Sequence, residues 1–110
     1  MRAVYEISRL VTAIISHNDA ARPFYNLIAT LEGISYEDAK KRVTEEVTGF
    51  MKKNYRIQKH FINDSNGNGL SMDKYLKDTE VLMEIVSFII NRFAKDVNSL
   101  HELIKVIHEA

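Results

Sequence analysis

Apolar residues recur every three or four positions along most of this chain, which is the spacing of one face of an α-helix. Strict alternation of apolar and polar residues, the pattern of a half-buried strand, is not sustained. The turn signals that a β-sandwich needs every ~8–12 residues are also missing. The helical pattern covers the ranges 4–15, 24–31, 36–61, 72–93 and 100–107. We therefore predict an all-α fold, a single-domain bundle of four to five helices.

Several residues signal where these helices begin and end. Pro23 is tolerated at the first position of a helix and marks the start of the second one. Gly33 can adopt the left-handed conformation that closes this helix, and Ser35 can cap the next. The apolar stripe of the third helix continues to the loop at Asn63, so we expect this helix to run for about seven turns. Within it, Gly49 is expected to mark a bend or a close helix crossing.

The connection between the last two helical segments allows two interpretations. Ser99 and Glu102 have the spacing of a capping box, which predicts that a new helix begins there. The apolar spacing nevertheless continues without a clear change of phase. A single helix over 71–108, unbroken near 96–99, is therefore the alternative.

The segment 71–95 contains the most apolar part of the chain, since few residues between Val81 and Phe93 are polar. One face of a helix holds only three to four apolar residues per two turns, so the excess must be covered by other helices or by a second chain. We predict that this helix is central in the bundle and that it also forms a homo-oligomeric interface, in a dimer. The expected interface residues are Val81, Ile85 and Phe88.

The stretch 64–69 is the only motif-like feature of the chain. It resembles the first half of an EF-hand calcium loop, because Asp64, Asn66 and Asn68 supply oxygens at positions 1, 3 and 5 and a glycine follows. At position 12, where that family has a bidentate glutamate, this chain has Tyr75. The resemblance implies a metal site formed by these three oxygen ligands. We expect calcium affinity no tighter than about millimolar, because the last carboxylate is missing.

Four basic residues follow one another without an acid in the second half of the third helix: Lys52, Lys53, Arg56 and Lys59. Tyr55 lies among them and could stack on a base. The same charges also complement the helix dipole on a solvated face. Four clustered bases predict only weak, non-specific and salt-sensitive binding, so nucleic acid is not the expected partner.

Composition narrows the class of protein further. The chain has 110 residues, enough for one domain, and its 15 basic and 15 acidic residues give zero net charge. A dedicated duplex-DNA binder usually has a clear excess of basic residues. The chain has no cysteine, which fits a reducing compartment. No apolar run approaches the ~18 residues that span a bilayer, and no signal peptide is visible, so we expect a cytoplasmic protein without membrane contact.

The sequence contains no complete catalytic constellation. It has no Gly-x-Ser-x-Gly pattern, no phosphate-binding loop and no pair of histidines four residues apart. We therefore predict no catalytic residue and no cofactor. The expected function is a small helical protein–protein interaction module, as a homo-oligomeric adaptor, inhibitor or regulatory subunit, and not an enzyme. The alternatives are a weak metal- or ligand-sensing module at 64–69 and, third, a nucleic-acid-binding bundle.

Overall fold

All regular structure in the described part of the chain is helical. The structure, a computed structural model, describes residues 2–54 and 79–109. It contains α1 Arg2–Ile15, a short 3-10 turn Asp19–Ala21, α2 Arg22–Glu32, α3 Tyr36–Lys53, α4 Thr79–Phe93 and α5 Val97–Glu109. No strand occurs within these two ranges. The predicted all-α bundle is confirmed.

Two residues after the end of α1, His17 has the left-handed backbone conformation that glycine usually adopts at this position. His17 has a φ of 53°, and the backbone N–H of Asn18 donates to the carbonyl of Ala13 at 2.9 Å, which closes the helix. Histidine enters this conformation more readily than most residues. The His17 Nδ1 atom lies 3.0 Å from Thr44 Oγ1, so the end of α1 is held against α3. The side chain of Asn18 then accepts a bond from Ala20 N at 2.7 Å and starts the 3-10 turn.

The junction between α2 and α3 agrees with the local sequence signals. Gly33 has a φ of 66°, and the N–H of Ile34 donates to the carbonyl of Ala29 at 3.0 Å. The Ser35 hydroxyl accepts a bond from the N–H three residues later, at 3.1 Å. The predicted end of α2 and the predicted cap of α3 are both confirmed.

α3 is shorter than predicted, because it ends at Lys53 and not near residue 61. Asn54 has an extended backbone, with φ −81° and ψ 120°, while its N–H still donates to the carbonyl of Phe50 at 3.0 Å. No glycine or proline at this point of the sequence signals the change. A Cβ atom added at Gly49 would meet nothing within 4 Å, so this glycine does not mark a close helix crossing.

α4 and α5 are separate helices, and the cap between them lies one turn before the predicted one. Asp96 Oδ1 accepts a bond from the N–H of Ser99 at 2.8 Å, and the Ser99 hydroxyl oxygen accepts from the N–H of Asp96 at 2.8 Å. This reciprocal arrangement is a capping box in which serine replaces the usual glutamate. The backbone and side-chain bonds from Ser99 lower the pKa of the Asp96 carboxyl. The capping box is therefore formed by Asp96 and Ser99 and not by Ser99 and Glu102. The alternative of one unbroken helix is wrong.

α1 and α3 have the most helical neighbours in the described part of the chain. α1 packs against α3, α4 and α5, α2 packs against α3 and α5, and the main contacts of α4 are with α1 and α3. The segment 71–95 was expected at the centre, and its described helix α4 lies beside this pair. The largest fully buried side chains are Tyr25, Phe24, Phe93, Leu10, Ile14, Ile28, Met51, Leu82, Ile85 and Ile89.

The two ends of the described chain meet. The His108 Nδ1 atom of α5 lies 3.3 Å from the Glu6 carboxylate of α1, which brings the last helix against the first. Among residues 2–54 and 79–109, no helix is both long enough and apolar enough to cross a bilayer.

The two described glycines should respond oppositely to alanine. Gly49→Ala should raise the free energy of unfolding by about 0.5–1 kcal/mol, because alanine is the better helix former and its Cβ meets nothing. Gly33→Ala should lower it by about 1–2 kcal/mol, because alanine is strained at φ 66°. Chemical denaturation of both variants beside the unchanged protein measures these effects. A destabilising Gly49→Ala would show that the α3 backbone around it needs glycine.

Candidate functional site

α4 has one side in the core and one side in solvent. Its buried residues are Val81, Leu82, Ile85, Val86, Ile89 and Phe93. On the outer side, Met83, Ser87 and Asn91 are exposed and follow one another at one-turn spacing. None of these three side chains carries a charge. We call this row the outer ridge.

α3 and α4 lie antiparallel and are joined by three contacts that are one helical turn apart. They pair Glu46 with Arg92, Phe50 with Phe88, and Asn54 with Glu84. The first is a two-pronged ion pair at 2.5 and 3.0 Å. The second is a stacked ring pair with centroids 4.4 Å apart, and the third is an amide-to-carboxylate bond of 3.0 Å. We call these contacts the α3–α4 seam.

Two open grooves border the outer ridge. The first, of about 420 Å³, is lined by Phe50, Met83, Glu84, Ser87, Phe88 and Asn91. The second, also of about 420 Å³, lies where the chain turns from α4 to α5 and is lined by Ile90, Asn91, Ala94, Lys95, Asp96, Val97 and Leu100. Because Asn91 lines both grooves, they form one continuous surface with the outer ridge. We call the ridge and its two grooves the outer surface.

The most exposed large apolar side chains of the described chain belong to its last two helices. Within the described ranges, the large hydrophobic side chains with high exposure are Met83 at 49%, Val97 at 66% and Ile104 at 39%. All three belong to α4 or α5, and the first two line the grooves of the outer surface. An exposed apolar side chain that borders a groove can contribute to an interaction site.

The residues expected at an interface do not lie together on this surface. Val81 and Ile85 are completely buried in the core of the chain itself, so they offer no area to a partner in this structure. Phe88 is half-buried, stacks on Phe50 and lines the first groove. The exposed ridge begins instead with Met83, which is 49% exposed. The polar residues Ser87 and Asn91, four positions apart, are the signal that could have identified the outer side.

A nearly buried carboxylate ties α2 to α3 and α4. Glu32 is 8% exposed, and three cations surround it: Arg42 at 3.3 Å, Arg92 at 3.3 Å and Lys95 at 2.9 Å. The hydrogen bond from Lys95 and the charges around it hold the pKa of the Glu32 carboxyl below its ordinary value. Arg92 also binds Glu46, and this bond raises the pKa of its guanidinium group. The group connects the end of α2 with the α3–α4 seam, and we call it the Glu32 cluster.

A second polar group lies between the 3-10 turn and α3. The Tyr36 hydroxyl donates to Asp19 Oδ1 at 2.5 Å, and Lys40 Nζ approaches the same oxygen at 3.1 Å. These two bonds, that from Tyr36 first, lower the pKa of the Asp19 carboxyl. The guanidinium of Arg22 lies over the Tyr36 ring at 4.9 Å from its centre. Each charge here has a partner on a neighbouring element, as expected of a contact that fixes the turn.

Tyr25 is fully buried beside this group, and its ring meets the Tyr36 ring edge-on at 5.9 Å. Burial raises the pKa of the Tyr25 hydroxyl to about 12, and the neighbouring Tyr36 adds to the shift. The hydroxyl oxygen makes no hydrogen bond within the described residues. A buried hydroxyl without a bond destabilises the fold, so Tyr25 contributes through its ring.

The expected metal and nucleic-acid residues are only partly described. Asp64, Asn66 and Asn68 lie outside the described residues, as do Arg56 and Lys59. Lys52 and Lys53 are exposed in the last turn of α3, where positive charge complements the helix dipole. Among residues 2–54 and 79–109, no group of three or more His, Asp or Glu side chains is placed to hold a metal ion.

Comparisons with protein-family models, with curated proteins and with solved structures found no match to this chain.

Glu32→Gln should lower the free energy of unfolding at pH 7 by about 1–2 kcal/mol, because it leaves three cations without their shared carboxylate. The carboxyl pKa is lowered by folding, so its contribution is complete above the ordinary value of 4.5 and is lost as the pH falls through the folded pKa. The difference between variant and unchanged protein should therefore shrink on acidification. Urea denaturation between pH 7 and pH 3 measures it.

The matched control is Glu45→Gln, at an exposed position of α3. It should have little effect at any pH. Both variants keep the acid sensitivity due to Asp19 and Asp96, whose carboxyl pKa values are also lowered. A constant difference for Glu32→Gln across this pH range would contradict the assigned ion pairs.

Tyr25→Phe should leave the free energy of unfolding unchanged or raise it by about 1 kcal/mol, because it removes a buried hydroxyl that makes no hydrogen bond. The unchanged protein should also lose stability as the pH rises from about 10 towards 12, since the folded pKa lies above the ordinary value. This loss should be smaller in the variant. Tyr36→Phe is the contrast: it should destabilise the fold and raise the pKa of Asp19, as measured by NMR titration. A clearly destabilising Tyr25→Phe would mean that the hydroxyl has a bonding role.

Proposed function

We propose that this chain works as a protein–protein interaction module without catalytic activity, and that the outer surface binds the partner. The observation that carries this proposal is the continuity of two open grooves with the exposed, uncharged outer ridge. The partner is a second copy of the chain or another protein. The lack of cysteine fits a reducing compartment, and we propose a cytoplasmic location.

The distribution of charge supports a protein partner. Interface cores are poor in charged residues and rich in aromatic residues and methionine. The outer surface has Met83 on its ridge and the stacked Phe50–Phe88 pair in one groove, while Ser87 and Asn91 provide uncharged hydrogen-bonding groups. A nucleic-acid partner would instead favour a basic face.

Two groups of charged residues in the described chain have a structural role and do not form a binding site. Those of the Glu32 cluster connect α2 with α3 and α4, and Asp19 is bound by Tyr36 and Lys40. Such pairs hold elements of the fold against one another. A metal-sensing role of residues 64–69 stays a prediction.

The test is photo-crosslinking in cells of the native host. A photoreactive phenylalanine analogue replaces Met83 in one variant and Glu45, an exposed residue of α3 outside the outer surface, in the other. We expect a discrete protein adduct from position 83 and little from position 45. Adding Ser87→Arg to the position-83 variant should remove the adduct, because a bulky charge then stands on the outer ridge.

Equal adducts from both positions, or none from position 83, would contradict the proposed binding surface. The mass of the adduct identifies the partner class, since a self-adduct has twice the 12.7 kDa mass of the chain.

A further inference from the structure

We infer that the partner on the outer surface is a second copy of this chain, with the two α4 helices packed antiparallel about a twofold axis at the level of Ile89. This inference rests on the proposed function and adds the identity and orientation of the partner. It comes from the order of features along the outer ridge and from their chemistry.

The outer surface can fit a second, antiparallel copy of itself, because a protruding side chain and a groove lie at similar distances on either side of Ile89. Met83, the exposed side chain, lies six residues before Ile89, and the second groove is centred about six residues after it, near Lys95. An antiparallel twofold axis at Ile89 therefore places Met83 of each copy in the second groove of the other. Antiparallel helices that cross at only about 20° pack the i±3 ridges of one into the i±4 grooves of the other, so such a contact can continue over several turns.

The polar residues of the ridge match in the same arrangement. Ser87 lies two residues before Ile89 and Asn91 lies two residues after it. Ser87 of each copy therefore faces Asn91 of the other, which gives two equivalent pairs. A hydroxyl and an amide each donate and accept, and the two can bond in either direction. A twofold axis also brings residues near it close to their own copies, which an uncharged ridge tolerates and a charged one does not.

Charge at the ends of the contact is complementary as well. Glu84 precedes Ile89 by five residues, and Lys95 lies just past the end of α4, so Glu84 of one copy comes near Lys95 of the other. Asp96 lies in the same turn, but its carboxylate is bound by the N–H of Ser99. Lys95 Nζ is bound to Glu32 and its side chain is 51% exposed, which leaves part of its surface available to a second carboxylate. Met83, Ser87 and Asn91 carry no charge, so no like charges meet along the outer ridge itself. These matches favour a second copy over an unrelated helix.

The first test measures association by sedimentation equilibrium. We expect the unchanged protein to form a dimer. Asn91→Lys should raise its dissociation constant at least tenfold, because two added lysines lie about 6 Å apart along the helix axis at the proposed interface. The matched control is Asn26→Lys, the same substitution at an exposed asparagine of α2, and it should leave the constant unchanged. Circular dichroism checks that both variants are folded.

The second test uses the lack of cysteine in this chain to trap the orientation by disulfide formation. A mixture of Ser87→Cys and Asn91→Cys chains should give a mixed disulfide under mild oxidation. Met83→Cys alone should not cross-link, since its two copies are about 18 Å apart along the axis of an antiparallel pair. Ready cross-linking of Met83→Cys would indicate parallel helices and overturn the proposed orientation.

The outcomes separate this inference from the proposed function. A chain that remains monomeric at high concentration overturns the second-copy partner, whereas an adduct of another mass at position 83 would still support an interaction module. A dimer that Asn91→Lys leaves intact overturns the axis at Ile89. A self-adduct, a weakened Asn91→Lys dimer and a mixed disulfide together support the inference.

Discussion

The attraction between one nearly buried carboxylate and three cations fixes the relative positions of α2, α3 and α4. Removing Glu32 from water is unfavourable unless ionic partners and hydrogen bonds replace the water, and Arg42, Arg92 and Lys95 do so from separate elements. Arg92 extends the connection to Glu46 within the α3–α4 seam. The position of α4 and the shape of the second groove thus depend on the same ion pairs, since Lys95 binds Glu32 and also lines that groove.

The side of α4 that faces α3 and the side that faces solvent differ in chemistry. Its contact with α3 is specified by ion pairing and ring stacking, whereas the exposed outer ridge is uncharged. The sequence indicates the solvent-facing side in part, because Ser87 and Asn91 interrupt an apolar run at one-turn spacing. Periodicity alone could not show that Val81 and Ile85 would be buried within the chain. How much of a helix is covered depends on the helices that pack against it, and these are distant in sequence.

Local chemistry explains which parts of the fold were predictable. Gly33 and Ser35 act within a few residues of their own positions, so their roles follow from the sequence. The end of α3 has only a weak local signal, two lysines followed by Asn54, and the apolar spacing continues past it. At the start of α5, two overlapping caps were possible, and Asp96 takes the capping position instead of the serine three residues later. The Glu32 cluster could not be predicted, because its members come from three segments and share no spacing.

The α3–α4 seam also determines how the two helices align. Its three successive contacts are chemically distinct: an ion pair, an aromatic stack and an amide–carboxylate bond. If α4 slid by one turn so that Glu46 met Phe88, Phe50 would meet Glu84 and both carboxylates would lie against rings. Three identical apolar contacts would carry no such penalty. The order of these three different contacts therefore specifies a single register between α3 and α4.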